Sequence, residues 1–158
     1  TGTSQVFPGS FVFSEALPMT GKLDRWIPSF DFKVIQLKIE TSVNALPLKK
    51  SGTPRFILGY PKGGANLVYS LCGEAPDYTI EIISKAGTYP VDENVEGVAL
   101  CRGIEGMSGG GVFDGSGNYI GHLIRAGTLE SGEYIRYVKA SFAAKTLKLK
   151  MKDYTVLN

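Results

Sequence analysis

The amino-acid sequence predicts an all-β fold, because short runs of β-forming residues alternate with turn residues along most of its length. The runs are rich in Val, Ile, Phe and Tyr, and the 20 glycines and 8 prolines of the 158 residues are spread between them. Many short strands at this spacing are typical of a β-barrel or a β-sandwich. We expect strands at residues 10–14, 32–39, 54–59, 65–71, 78–83, 111–113, 119–125 and 134–138.

One turn and one helical segment interrupt the strands. Residues 116–118, Ser-Gly-Asn, separate two apolar runs and predict a hairpin turn. Near the C-terminus, residues 142–151 predict a helix capped by Ser141, because apolar residues recur every four positions on one face: Ala143, Leu147 and Met151. The same stretch alternates apolar residues with lysines, so a strand is the alternative. The lysines form a solvated face or, on a sharper interpretation, a basic surface for an anionic partner.

Composition limits the classes of function. An apolar fraction of 43% and a charged fraction of 20% are ordinary for a single folded domain and exclude a disordered chain. The net charge of +2 does not indicate a nucleic-acid partner. No apolar run approaches the roughly 20 residues that a membrane span requires. The sequence has neither an initiator Met nor a signal peptide, so we expect its first residue to be a processed or constructed end.

The chain offers few residues for metal or cofactor chemistry. Its one histidine, His122, and its two cysteines, Cys72 and Cys101, do not make a zinc set. We expect both thiols to be free in a reducing compartment, because a small secreted domain stapled by disulfides would carry more cysteines, and a single disulfide is the alternative. A cysteine nucleophile would have only His122 as a base. Residues 61–64, Pro-Lys-Gly-Gly, lack the spacing of a phosphate-binding loop, so neither a metal nor a cofactor is expected.

The densest chemical signal is a serine inside a glycine run, Gly-Met-Ser-Gly-Gly-Gly at residues 106–111. A flexible turn is the simplest interpretation. A nucleophilic serine is the sharper one, because its attack on an acyl group creates an oxyanion that needs backbone N–H donors already in place. Flanking glycines allow the tight conformation required. The N–H groups of Gly106 and Ser108 would form that oxyanion hole.

This segment resembles the nucleophile motif Gly-Asp-Ser-Gly-Gly of the chymotrypsin-like (trypsin-like) serine peptidase superfamily, with Met107 where Asp is commonest. Residues 31–37, Asp-Phe-Lys-Val-Ile-Gln-Leu, resemble the strand that carries the triad aspartate. Residues 54–61, which end in Gly-Tyr-Pro, resemble the first strand of the second barrel, and residues 117–127 resemble the strand pair that lines the specificity pocket. The resemblance covers roughly residues 30–142.

The resemblance implies a double β-barrel and a serine endopeptidase with Ser108 as nucleophile and Asp31 as the carboxylate that orients a histidine. On the alternative interpretation, Asp31 is a turn residue at the end of a strand. The family's histidine lies upstream of the aspartate, and residues 1–30 contain none. We expect it in a segment upstream of Thr1, which makes this chain alone inactive or nearly so. The other explanation is a pseudopeptidase that kept the fold.

The resemblance also implies a substrate-binding set. Arg102 precedes Ser108 by six residues, the offset of the residue at the base of the pocket, where an arginine favours acidic side chains. Otherwise Arg102 is a surface arginine. His122 is an ordinary strand histidine on one interpretation. On the other it is a pocket residue, because it lies on the same strand face as Ile124, the position that matches a specificity histidine of some relatives. The residues that match the strand pairing with extended substrate complete the set: Ile124, Arg125, Ala126 and Gly127.

The prediction is therefore an all-β chymotrypsin-like double β-barrel, its first barrel partial, with a short C-terminal helix. Residues 1–50 would be the remainder of the first barrel, residues 51–140 the second barrel and residues 141–158 a C-terminal helix and tail. The expected partners are a peptide or protein substrate and an upstream segment or chain with the catalytic histidine, and no nucleic acid. The alternatives are a non-catalytic peptide-binding or scaffold module on the same fold, and an unrelated β-barrel binding domain.

Overall fold

The computed structural model describes residues 11–14, 34–37, 49, 52–86 and 90–148. The described residues form eight strands and two helices. Seven of the eight strands overlap strands that the sequence predicts. In chain order the elements are β1 (Phe11–Ser14), β2 (Val34–Leu37), β3 (Phe56–Gly59), β4 (Val68–Glu74), α1 (Asp77–Ala86), β5 (Glu96–Cys101), β6 (Gly111–Phe113), β7 (Tyr119–Leu129), β8 (Gly132–Lys139) and α2 (Ala140–Lys148).

Six of the strands close into an antiparallel barrel in the order β3-β4-β5-β8-β7-β6, with β6 pairing back onto β3. Closure leaves no exposed sheet edge along the paired segments. Side chains on the inner face form one apolar core, which includes residues from five of the strands and from the loop before β6. The core consists of Ile57, Ala99, Cys101, Met107, Val112, Ile120, Leu123, Ile135 and Tyr137. Separately, β1 and β2 pair as an antiparallel two-stranded ribbon.

Strand β7 carries two bulges that change the facing of its side chains. Val112 and Phe113 of β6 pair with Gly121 and Tyr119, so Ile120 is an extra residue on β7. In the same way Leu123 and Arg125 pair with consecutive residues of β8, which leaves Ile124 as the extra residue. A bulge interrupts the alternation of side chains and increases the local twist.

The strand predicted at residues 78–83 is wrong, because this segment lies in helix α1. Its run of Thr and Ile favours a strand by propensity, but Thr79 and Ile83 are four residues apart and both are buried, as on the inner face of a helix. Asp77 lies in the first turn, where a negative charge is favourable, and Lys85 pairs with Glu81 one turn earlier. Strand β5, which follows, was not predicted.

The two cysteines are also not free as predicted. Cys72 on β4 and Cys101 on β5 are direct partners in the antiparallel register, with their Cα atoms 4.5 Å apart, and they form a disulfide. This separation lies within the range that a disulfide requires. Because strand β5 was not recognised in the sequence, the two residues could not be placed opposite each other.

The hairpin turn and the terminal helix predicted from the sequence are both present. The turn between β6 and β7 is organised by Asp114, whose Oδ1 accepts hydrogen bonds from the N–H groups of Ser116 and Asn118, each at 2.9 Å. The hydrogen bonds from the Asn118 side chain are the main reason that the pKa of Asp114 falls from 3.8 to about 2, although burial opposes the shift. Helix α2 begins at Ala140, so Ser141 lies inside its first turn, and the helix packs against β7 and β8.

A buried ion pair joins β5 to β8. The guanidinium of Arg136 donates from Nε to Oε1 of Glu96 and from a terminal nitrogen to Oε2, both at 2.7 Å. The two side chains are 3% and 1% exposed. The fork geometry satisfies both carboxylate oxygens, which allows the two charges to be buried together.

No helix within the described ranges has the length and apolar character needed to cross a membrane.

Candidate functional site

The glycine-rich segment at residues 106–110 forms a tight turn that presents Ser108 to solvent. Gly106 has φ of +92° and Gly109 has φ of +87°, both in the region that L-residues with a side chain rarely adopt. A Cβ on Gly106 would lie 2.2 Å from the backbone nitrogen of Lys62, so the position excludes a side chain by contact as well as by conformation. The turn therefore needs glycine at position 106, two residues before Ser108.

Hydrogen bonds fix the turn against the barrel. The N–H of Gly109 donates to the carbonyl of Leu123 at 2.7 Å, and the N–H of Leu123 donates to the carbonyl of Gly110 at 2.8 Å. Met107 N–H donates to the carbonyl of Ile104 at 3.0 Å. Within the described ranges, neither the N–H of Gly106 nor that of Ser108 donates a hydrogen bond. The two predicted oxyanion-hole donors are thus the ones that the turn leaves unused.

Met107, the residue directly before Ser108, is buried beneath the turn. Its side chain is 1% exposed and belongs to the barrel core. It lies against Gly59, since a Cβ on that glycine would contact three Met107 atoms at 3.3–3.4 Å. The turn is therefore anchored by an apolar side chain on the residue directly before Ser108.

An open cleft of about 380 Å³ begins at Ser108 and follows β7. One wall is the loop before β6, and the other is the second half of β7. Its lining includes six of the predicted site residues: Gly106, Ser108, Ile124, Arg125, Ala126 and Gly127. Two other predicted residues, Arg102 and His122, are not in the lining. Asp31 lies outside the described residues, so its distance from Ser108 stays untested.

The edge of β7 that faces the cleft is the side where β6 ends. Pairing with β6 stops at His122, which is opposite Gly111, whereas β7 continues to Leu129 paired with β8. Beyond Leu123 the described strands place a neighbour on only one side of β7. Such an edge is able to pair with an extended peptide.

His122 lies outside the cleft on the barrel side of the bulge. It is half-buried, and its Nδ1 is 3.4 Å from the hydroxyl oxygen of Tyr119. The expectation that it shares a face with Ile124 assumed regular alternation, and the bulge at Ile124 interrupts that alternation.

Arg102 lies at the rim of the cleft and faces Glu133, an acidic residue that was not predicted as part of the site. Its Nε lies 3.9 Å from Oε1 of Glu133, and Glu133 does line the cleft. The separation is too long for a hydrogen bond. Glu133 was overlooked because it follows the β7–β8 turn, far from Ser108 in sequence. The other residues of the lining that were not predicted are Gly103, Ile104, Glu105, Leu123 and Thr128.

The described part of the chain contains no group of three or more His, Cys, Asp or Glu residues arranged to hold a metal ion. Residues 61–64 form a turn closed by a hydrogen bond from Gly64 N–H to the carbonyl of Pro61 at 3.0 Å. Next to it, Lys62 Nζ lies 2.9 Å from Oε1 of Glu105 at the cleft.

No protein-family model matches the chain, and no curated protein matches it. Among solved structures, the Rv3671c protease in its inactive form matches with a TM-score of 0.51 and 20% identity over 79% of this chain and 64% of that one. The active form of the M. tuberculosis protein gives a TM-score of 0.50 and 20% identity over 85% and 59% of the two chains. An inactive serine-to-alanine mutant of the same protein gives 0.48 and 19% identity, with 84% and 65% covered.

In each comparison the chain spans less than two thirds of the solved protein, at 65%, 64% and 59% of its length. Identity at this level establishes a likeness of fold. The closed six-stranded barrel agrees with the two structural likenesses that have a TM-score of 0.50 or above. The described residues therefore have the all-β barrel fold of the chymotrypsin-like peptidases, as the motifs predict.

Proposed function

We propose that this chain is the nucleophile-bearing part of a serine endopeptidase. The observation that carries the proposal is the turn at Ser108, which exposes the serine at one end of a cleft while the N–H groups of Gly106 and Ser108 are left without described partners. Two adjacent donors held by the backbone suit a tetrahedral oxyanion, because they need no reorganisation when the charge develops.

The reaction would follow the acyl-enzyme route. The Oγ of Ser108 attacks the scissile carbonyl carbon while a histidine removes its proton, and the carbonyl oxygen takes the negative charge beside the two N–H groups. The same histidine returns the proton to the leaving amine. Water then hydrolyses the acyl-enzyme. Asp31 orients the histidine. Residues 1–50 supply the remainder of the first barrel, which carries Asp31.

The histidine would come from a segment or chain upstream of Thr1. His122 is a poor base for Ser108, because it does not line the cleft that Ser108 lines and is paired with Gly111 in the β6–β7 ladder. Without a base the serine hydroxyl is a weak nucleophile at neutral pH. We therefore expect the isolated chain to be inactive or nearly so, and the assembled protein to hydrolyse peptide bonds.

Substrate would bind as an added strand along β7. Backbone groups of Arg125, Ala126 and Gly127 pair with the peptide, as in other complexes that extend a sheet edge. Arg102, just after β5, and His122, in the first half of β7, complete the proposed substrate-binding set. Ile124 contributes apolar lining at the bulge.

A serine-directed phosphonate probe tests this proposal. We expect labelling of Ser108 only when the upstream segment is present, loss of labelling in Ser108→Ala, and unchanged labelling in Ser116→Ala, a serine in the hairpin turn away from the cleft lining. Labelling of Ser108 in the isolated chain would contradict the need for an external base. No labelling of the assembled protein would contradict the peptidase itself.

The second candidate is a non-catalytic peptide-binding module. The cleft and the β7 edge favour it, because they need no histidine to bind an extended peptide. The two candidates differ in turnover: the Ser108→Ala variant of a peptidase keeps binding and loses hydrolysis, whereas a binding module hydrolyses nothing in either form.

A further inference from the structure

We propose that Glu133 sets the charge preference of the cleft, so that it takes peptides with a basic side chain. This inference rests on the proposed function, since it concerns the substrate of the same site. Arg102 alone would favour an acidic side chain. Its guanidinium is opposed by Glu133, and of the two residues only Glu133 lines the cleft.

The position of Glu133 follows from the strand register. Ile135 and Tyr137 on β8 are core residues, and Glu133 precedes them at the same spacing of two, so its side chain continues the inward-facing row toward the end of the barrel. Thr128 is its direct partner on β7, and Ala126 is the partner of Ile135. This face of the hairpin forms the far part of the cleft.

Gly103 brings the opposite wall onto this face. A Cβ on Gly103 would lie 2.4 Å from the Cβ of Ala126 and 3.2 Å from a methyl carbon of Ile135, so the loop backbone packs directly against the hairpin. Arg102 is the residue before this contact. Its side chain is 73% exposed, against 49% for Glu133, and the two groups remain 3.9 Å apart.

The other charged residues of the lining are Glu105 and Arg125, and neither neutralises the Glu133 carboxylate. Glu105 is also acidic and is paired with Lys62, whose Nζ donates to its Oε1 at 2.9 Å. Arg125 pairs across the sheet with Arg136, whereas Glu133 pairs with Thr128, and these two positions have opposite parity along the hairpin. Arg125 also lines the cleft, but strand alternation directs its side chain to the face opposite to that of Glu133.

A loose, exposed ion pair contributes little, so a substrate cation is able to displace it. A lysine or arginine side chain that enters along β7 reaches the Glu133 carboxylate and forms a charge-assisted contact, while the guanidinium of Arg102 turns to solvent. An acidic side chain meets the carboxylate first and is repelled.

Peptide binding to the full chain tests the inference without requiring turnover. The probes are extended hexapeptide amides in which Lys, Gln or Glu is placed at each position in turn, and affinity is measured by titration calorimetry in low and physiological salt. We expect the best Lys peptide to bind about 1.5- to 5-fold tighter than its Gln counterpart, the range of an exposed ion pair, and the Glu peptide to bind more weakly.

Three variants assign the effect. Glu133→Gln should abolish the preference for Lys and reverse it toward Glu, because Arg102 is then unopposed. Arg102→Gln should increase the preference for Lys. Glu81→Gln on α1, a carboxylate that pairs with Lys85 and is not in the cleft lining, is the matched control and should change nothing.

Any of four results would overturn the inference. If the Glu peptide binds more tightly to the wild-type chain, or if the order of affinities is unchanged in Glu133→Gln, only the proposed role of Glu133 is contradicted. If Lys, Gln and Glu peptides bind equally, the peptide-binding cleft stands and the charge preference fails. If no peptide binds at all, both the inference and the proposed function fail.

Discussion

Replacement of one member of the buried Glu96–Arg136 pair should destabilise the barrel strongly. In Glu96→Gln the side chain keeps its shape and one acceptor oxygen, but the guanidinium loses the opposite charge while it stays 3% exposed. Removal of one partner from a buried pair costs about 3–5 kcal/mol, because an uncompensated charge remains in the interior. With roughly 2–4 °C per kcal/mol for a chain of this length, we expect Tm to fall by at least about 6 °C.

Urea unfolding followed by circular dichroism measures this cost. The control is Glu81→Gln, which breaks an exposed pair on α1 and should change stability by less than about 0.5 kcal/mol. The double variant Glu96→Leu with Arg136→Met should recover most of the loss, since replacing both charges by apolar side chains is often neutral or stabilising. A cost under about 1 kcal/mol for Glu96→Gln would refute the argument that the pair is desolvated.

Three further outcomes are expected. Asp114→Asn should lose about 1–2 kcal/mol at pH 7, because the amide keeps the Oδ1 acceptor but lacks the charge that strengthens the turn hydrogen bonds and pairs with Lys49. Because the folded pKa of Asp114 is lowered from 3.8 to about 2, the wild-type advantage in urea midpoint should be full above pH 4 and shrink as pH falls toward 2. Gly106→Ala, strained at φ +92° and crowded by Lys62, should cost about 1–3 kcal/mol and abolish phosphonate labelling of the assembled protein, and retained labelling would show that the turn tolerates a side chain. Reduction of the Cys72–Cys101 bond should lower stability by about 2–4 kcal/mol, with no change on adding reductant if the thiols are free.

Much of the barrel could be predicted from local patterns, and the failures share a cause. Strands such as β3 and β7 are bounded by glycine and proline and have strong β propensity, so they were recognised. Residues 78–83 have the same propensity, but they form a helix in which Thr79 and Ile83, four residues apart, are both buried. Strand β5 begins with Glu96 and Gly97, which are poor strand formers, and its buried charge depends on Arg136, 40 residues later in sequence. Tertiary partners decided both cases.

The candidate site divides in the same way. The serine turn was predictable because its glycines are required by local backbone geometry at Gly106 and Gly109. The charge lining of the cleft was not, because Arg102 and Glu133 come together only through the barrel register. The same-face argument for His122 failed to allow for a bulge, since a bulge has no reliable signature in a run such as Gly-His-Leu-Ile-Arg.

Met107 shows how the turn keeps its shape with an apolar residue directly before Ser108. The backbone around Ser108 is held from below by an apolar side chain packed in the core and from the side by the hydrogen bonds between the turn and Leu123. Neither contact involves a group that titrates. The orientation of the Gly106 and Ser108 N–H groups should therefore be independent of pH wherever the barrel is folded. Any pH dependence of phosphonate labelling would then belong to the histidine that we propose as base, and the midpoint of that dependence would report its pKa.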